Sequence, residues 1–172
     1  PDAPVMAVTA QGTPDSAVGH DRVTTMRYDR RGLVVEQRRV GVLAAEGAQS
    51  WSAGAPQLKA RDVVTLTVYD GAGNALQKSS QVVDTASGSL VQQGAVTRSR
   101  FDALGRLVRT VVLADGTAAK GQLTTMSYDA LGNAVQVMKW ANEGAIEGDL
   151  PQPAEGNDQR TQCRFDALGR TI

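Results

Sequence analysis

Five times along the chain an aromatic residue is followed at once by Asp and, four positions after the aromatic, by Gly. The copies align without gaps as "TTMRYDRRGLVV", "TLTVYDGAGNAL", "TRSRFDALGRLV", "TTMSYDALGNAV" and "TQCRFDALGRTI". The aromatics are Tyr28, Tyr69, Phe101, Tyr128 and Phe165. The acids are Asp29, Asp70, Asp102, Asp129 and Asp166, and the glycines are Gly32, Gly73, Gly105, Gly132 and Gly169. Thr stands four residues before each aromatic, and an aliphatic residue (Val35, Leu76, Val108, Val135, Ile172) stands seven after it. A repeated unit must fold the same way each time, so this string constrains the fold more than any other feature.

Asp-x-x-Gly fits a type I turn with Asp in the first position, where its carboxylate accepts N–H groups from the turn backbone. Gly then supplies the left-handed residue that closes the turn with a bulge, a favoured hairpin connection. Before the turn, Thr and the aromatic share one face of a strand, because side chains alternate with period two. Between them on that face lie Met26, Thr67, Ser99, Met126 or Cys163, and the opposite face carries Arg27, Arg100, Arg164, Ser127 and the exception Val68. Each copy therefore reads as the tip of a β-hairpin built from a half-buried strand. The aromatic is placed to cover the turn and pack near an aliphatic of the partner strand.

The tips are expected near 28–33, 69–74, 101–106, 128–133 and 165–170, within five hairpin units spanning 22–172. Residues 1–21 form a leading segment, irregular or an edge strand. Tip spacings run from 27 residues (Phe101 to Tyr128) to 41 (Tyr28 to Tyr69). That is too irregular for a strict solenoid, and it suits a meander whose other ends are loops of varying length. Those loops read as "AEGAQSWSAGAPQ", "DTASGS", "LADGTAAKGQ" and "NEGAIEGDLPQPAEGNDQ". The best helix candidate, "VGVLAAEGAQ", is short and interrupted by glycines. The fold class is all-β, an antiparallel meander of hairpins.

The motif resembles the YD repeat, also called the RHS (rearrangement hotspot) repeat, whose hallmark is Tyr-Asp-x-x-Gly-Arg/Asn-Leu. Arg106 and Arg170 match the basic position, Asn74 and Asn133 are its common variant, and Leu33 in the first copy departs from it. The resemblance covers about Arg22 to Ile172. It implies a segment of a spiralling β-shell. In bacterial polymorphic toxins and insecticidal toxin complexes such shells enclose a toxic C-terminal segment. In teneurins a similar barrel is displayed outside the cell and takes part in adhesion. The expectation carried over is a structural stretch of an exported bacterial protein, secreted or at the cell surface, with its partners being other repeats and a toxin or effector region of the same polypeptide. The self-cleaving aspartyl-protease-like region found after the repeats in the bacterial family has no counterpart here, since no Asp-Pro-x-Gly segment occurs. No catalytic residue is carried over, and the aromatic, Asp and Gly of each copy are taken as turn determinants.

Composition agrees with a thin body. Aromatics make up 4% of residues and the 41% apolar share is largely Ala and Val. A chain of 172 residues can bury ~70% of its unfolded surface, but few of these side chains are large enough to fill a deep core. Eighteen basic and eighteen acidic residues balance, leaving no electrostatic footprint for nucleic acid and no polybasic block for a membrane surface. No apolar run approaches the ~18 residues needed to span a bilayer. Opening on Pro1 and stopping just after a motif, the sequence reads as a piece cut from a longer chain.

Chemistry-bearing residues are sparse. The sole histidine, His20, sits beside Asp21 with nothing to fix a nucleophile against it, and reads as an exposed turn residue. Cys163 occupies a strand-packing position, and one Cys with one His makes zinc improbable. The acids from Glu143 to Asp158 lack a calcium-loop pattern and read as a solvated loop. No enzyme activity, cofactor or metal is expected. Trp51 and Trp140, in or beside the variable connections, are the candidate ligand contacts. They underlie an alternative role as an adhesin or carbohydrate- or protein-binding module contacting a glycan or cell-surface protein, although each can equally plug a loop onto the sheet. Bare sheet edges would favour self-association through a terminal strand.

Overall fold

The computed structural model describes residues 23–45, 58–166 and 168–172. They contain no helix. Nine strands follow one another: β1 (Val23–Tyr28), β2 (Val34–Ala45), β3 (Leu58–Tyr69), β4 (Ala75–Asp84), β5 (Leu90–Phe101), β6 (Leu107–Leu113), β7 (Gln122–Tyr128), β8 (Ala134–Lys139) and β9 (Gln159–Gln162). They form one sheet in the order β1-β2-β3-β4-β5-β6-β7-β8-β9, with antiparallel ladders, so the expected all-β meander is what the described residues adopt. The described part of the helix candidate, residues 40–45, is extended instead: it continues β2, and 42–45 pair with β3. β-branched Val40 and Val42 and left-handed Gly41 all disfavour a helix there.

The outward-facing residues of the strands leading into the tips behave as their alternation requires. Arg27, Val68, Arg100, Ser127 and Arg164 are all exposed, while the aromatic next to each is half-buried. Beyond each turn the ladder contains a feature that alternation alone does not show. Tyr28 faces Val34 but Arg27 faces Glu36, which leaves Val35 without an opposite residue. Val108 and Val135 are skipped in the same way. Two aliphatic residues in succession break the alternation of a plain strand, and this bulge is how the ladder absorbs the extra one.

The chain divides into two compact units. Among described residues the first holds β1, β2, β3 as far as Thr67, and Ser79–Gly94. Its buried apolar residues are Val64 and Val83. Buried beside them in sequence is a charged pair, Arg61 and Asp62. The β2–β3 register jumps between Arg39 and Val42, so that Asp62 lies opposite a bulge containing Gly41, whose φ is 68°.

The second unit comprises Val68–Lys78 and Ala95–Ile172. Its core is Val96, Val111, Leu113, Leu123 and Trp140, with Ala118, Met138 and Ile146 packed against it. The long β8–β9 connection supplies part of this core. Gly144 pairs with Gly121 through two backbone hydrogen bonds of 2.9 and 3.1 Å. The Arg109 guanidinium holds the same connection by donating to the carbonyls of Ala145, Ile146 and Gly148 at 3.1–3.4 Å. Only part of this stretch is therefore a solvated loop: Glu143, Glu147, Asp149 and Glu155 are exposed, while Gly144 is buried and Ile146 half-buried. Asp158 is engaged with the backbone, accepting from the N–H groups of Ala141 (2.7 Å) and Ala154 (2.9 Å).

Candidate functional site

The five motif copies fold into one repeated turn. In each, the Gly N–H donates to the Asp carbonyl at 2.9–3.2 Å, and the Asp N–H donates to the carbonyl of the residue after Gly at 2.9–3.0 Å. The glycines have φ between 75° and 93°, in the left-handed region that a side chain disfavours.

The carboxylates are used identically. Oδ1 accepts two backbone N–H groups at 2.8–3.0 Å, one from two residues on and one from four residues on: Arg31 and Leu33 for Asp29, Ala72 and Asn74 for Asp70, Leu104 and Arg106 for Asp102, Leu131 and Asn133 for Asp129, Leu168 and Arg170 for Asp166. Oδ2 accepts from a side chain. Arg106 and Arg170 donate through Nε at 2.7 Å, and Asn74 and Asn133 through Nδ2 at 2.8 and 2.9 Å. The Arg/Asn position thus completes the turn by engaging the second oxygen of the Asp. In the first copy Leu33 cannot do so, and Arg31 supplies the guanidinium instead, with Nε 3.0 Å from Oδ2 of Asp29.

These bonds favour the ionised acid, and all five carboxyls are held below the usual value of 3.8. The leading cause is the backbone N–H of the residue four on for Asp29, Asp102 and Asp166, and the Asn side-chain amide for Asp70 and Asp129. A carboxyl so held does not carry a proton near neutrality, which is what a general acid needs. Lowered native values mean that this stabilisation is complete above the unfolded-state pKa and is lost as pH falls through the native values. The melting temperature should therefore be nearly flat from about pH 7 to 5 and fall progressively below about pH 4. Thermal scans across that range check this, and a melting temperature that rises on acidification would contradict it.

Within the second unit neighbouring tips touch. Arg106 reaches across to the next copy, donating from Nη1 to the Asp129 carbonyl (3.3 Å) with its guanidinium 4.7 Å from the centroid of the Tyr128 ring. The Tyr128 hydroxyl donates back to the Leu107 carbonyl at 2.7 Å. Asn74 approaches Gly105 and Asn133 approaches Gly169, each Oδ1 lying 3.7–3.8 Å from where a Cβ on the glycine would stand.

A Cβ on Gly132 would meet nothing within 4 Å, so substitution there tests backbone conformation alone. Gly132→Val should cost at least ~1 kcal/mol, because a β-branched residue resists a φ of 89°. Urea denaturation measures the loss. Gly71→Ala is the control, since Gly71 also has open space but no positive φ.

Trp140 is placed differently from a ligand contact. It is 9% exposed, its ring belongs to the core, and its indole Nε1 donates to the Thr125 hydroxyl at 3.1 Å. Of the two roles open to it, the structure shows the loop plug. Trp51 and His20 lie outside the described residues. Cys163 is a free, half-buried thiol whose N–H donates to the Val135 carbonyl, in keeping with a strand-packing position. It borders an open groove of about 520 Å3 with Gln136, Gln162 and Phe165, whose one carboxylate is the already occupied Asp129. Among the described residues no three His, Cys, Asp or Glu side chains converge as a metal site.

A polar cluster in the first unit escapes the motif pattern. Asp62, 1% exposed, accepts from Arg38 Nε (2.6 Å), the Gly41 N–H (3.0 Å) and the Thr85 hydroxyl (2.9 Å). Burial pushes its carboxyl up, but the Gly41, Thr85 and Arg38 bonds together outweigh that and leave it lowered. Arg61 pairs with Asp84, whose Oδ1 also ties the "DTASGS" turn by accepting from Ala86 and Ser87. The signal available in sequence was the adjacent Arg-Asp leading into the Val- and Thr-rich run of the strand, "KARDVVTLTV". No known family model matches this chain, and comparison with curated proteins finds no match.

Proposed function

We propose that this chain is a stretch of wall from a large exported bacterial YD-repeat protein, enclosing or presenting another part of the same polypeptide, a toxin or effector region. The supporting observation is the fivefold recurrence of one turn, with the same two oxygens of the same acid used in the same way, in a nine-stranded meander. Such a unit repeats a surface rather than building one unique site. Its acids are consumed as backbone acceptors, and Arg106 links its tip to the next. The adhesin alternative drew on Trp51 and Trp140, and the burial of Trp140 removes one of its two supports.

The test is protease protection in the parent polypeptide. The segment neighbouring the repeats should resist cleavage while the repeats are folded and become cleavable once Gly132→Val and Gly105→Val loosen them. Equal cleavage in both states would contradict a wall. A glycan array probed with the intact chain tests the alternative, and selective glycan binding would favour the adhesin.

A further inference from the structure

The residue just before a motif aromatic has a partner directly opposite it beyond the turn, and three copies differ at this pair. It is Arg27 and Glu36 in the first copy, Ser127 and Gln136 in the fourth, and Arg100 and Arg109 in the third. Opposite charges meet in the first, where Arg27 Nη1 lies 2.9 Å from Glu36 Oε2. Neutral groups meet in the fourth. The third sets two guanidinium-bearing residues against each other on one face of the sheet, a placement in which like charges repel. Arg98, two residues before Arg100 and on the same face, adds another positive charge, its Nε bonded to the neutral amide oxygen of Gln77.

What answers this charge comes from the β8–β9 connection, and it is incomplete. Arg109 uses Nη1 alone, donating to the uncharged carbonyls of Ala145, Ile146 and Gly148. Among the described residues Glu147 is the one carboxylate that contacts either arginine. Its Oε2 lies 3.4 Å from Arg100 Nη1, with the Arg100 and Glu147 side chains 49% and 70% exposed. An ion pair that long and that open to water is weak. The Nε and Nη2 groups of both arginines have no hydrogen-bond partner among the described residues.

We infer that Arg100 and Arg109 form a binding site for a small tetrahedral dianion, sulfate or phosphate, free or carried as an ester, and that Glu147 is the internal carboxylate the ligand displaces. Guanidinium groups present donors in a planar fork that suits the oxygens of such an ion. A dianion neutralises both arginines, whereas Glu147 answers only one. Displacement requires only that an exposed side chain swing aside, because the carbonyls that hold Arg109 belong to the backbone and stay in place. The site stands on the β5–β6 register and on residues 145–148, not on the wall role, so failure to bind would leave that role standing.

NMR of the arginine Nε–H groups in the intact chain, titrated with inorganic sulfate or inorganic phosphate at constant ionic strength, tests the proposal. The Arg100 and Arg109 signals should shift together and saturate at millimolar anion. Arg27, already paired with Glu36, should not move. Arg100→Ala should abolish the saturable shift at Arg109. Arg100 is exposed and makes no hydrogen bond to the connection, so the backbone amide spectrum of this variant should otherwise match that of the unsubstituted chain. Glu147→Gln removes the competing charge and should tighten sulfate binding about two- to fivefold, the factor expected from losing one exposed ion pair. Glycerol 3-phosphate separates the two sources of the group: tighter binding than inorganic phosphate assigns the site to an ester, and equal or weaker binding assigns it to the free ion. Shifts that never saturate, that appear equally at Arg27, or that persist at Arg109 in Arg100→Ala would overturn the proposal, as would unchanged or weaker binding by Glu147→Gln.

Discussion

Asp62→Ala is expected to remove about 3 kcal/mol from the unfolding free energy, a large fraction of what a domain of this size possesses. The substitution strips three donors at once. Arg38 loses its ion pair, the Gly41 N–H loses its acceptor inside a bulge, and the Thr85 hydroxyl is left unmatched. An unsatisfied buried group costs roughly 1–3 kcal/mol. The Gly41 N–H is half-buried, whereas Thr85, which is exposed, and Arg38, with a side chain about one-third exposed, recover part of their hydration. The loss should be local first. Hydrogen exchange at Gly41 and along the facing residues of β3 should quicken more than exchange in β6 and β7. Asp62→Asn should cost less than Asp62→Ala, because an amide oxygen still serves Gly41 or Thr85. Urea denaturation of both variants measures the difference, and a loss under about 1 kcal/mol for the alanine would show that the buried carboxylate is not holding the bulge.

Gly121→Ala is expected to be comparably severe, at about 3 kcal/mol, for a steric reason. A Cβ there would overlap the Val112 carbonyl oxygen and stand 2.9 Å from its carbon. Backbone atoms give way less readily than the end of a flexible side chain. Relief requires Gly121 to move off β6, which breaks its pairing with Gly144 and lifts the connection that carries Ile146 onto the core. Gly116→Ala is the matched control, since its Cβ would make only an ordinary 3.8 Å contact with Val96. Equal melting temperatures for the two variants would mean that the close approach at Gly121 is not required by the fold.

What the sequence reveals and what it hides divide along a physical line. Tip positions, strand order and the exposed faces follow from local rules: Asp and Gly at fixed offsets, and alternation over six or seven residues. The bulges at Val35, Val108 and Val135 are signalled only by paired aliphatics, whose meaning depends on a partner strand. The role of Arg or Asn after each Gly is legible as a recurrent residue type, but its bond to the Asp needs coordinates. The replacement of Leu33 by Arg31 shows that the requirement is for a donor at Oδ2 rather than for one sequence position. Trp140 and Arg109 were the least legible. Both join residues far apart in the chain, Trp140 to Thr125 and Arg109 to a connection more than thirty residues on, and no local pattern encodes such contacts.

Solution NMR of the chain offers the most direct check on the repeated turn. Coupling constants and chemical shifts should place Gly32, Gly73, Gly105, Gly132 and Gly169 at positive φ. The amide protons of Asp29, Asp70, Asp102, Asp129 and Asp166 should exchange slowly, each bonded to the carbonyl just beyond its glycine. Helical or extended φ at those glycines, with fast exchange at the five Asp amides, would contradict the hairpin tips on which the meander and the proposed wall-like role are built.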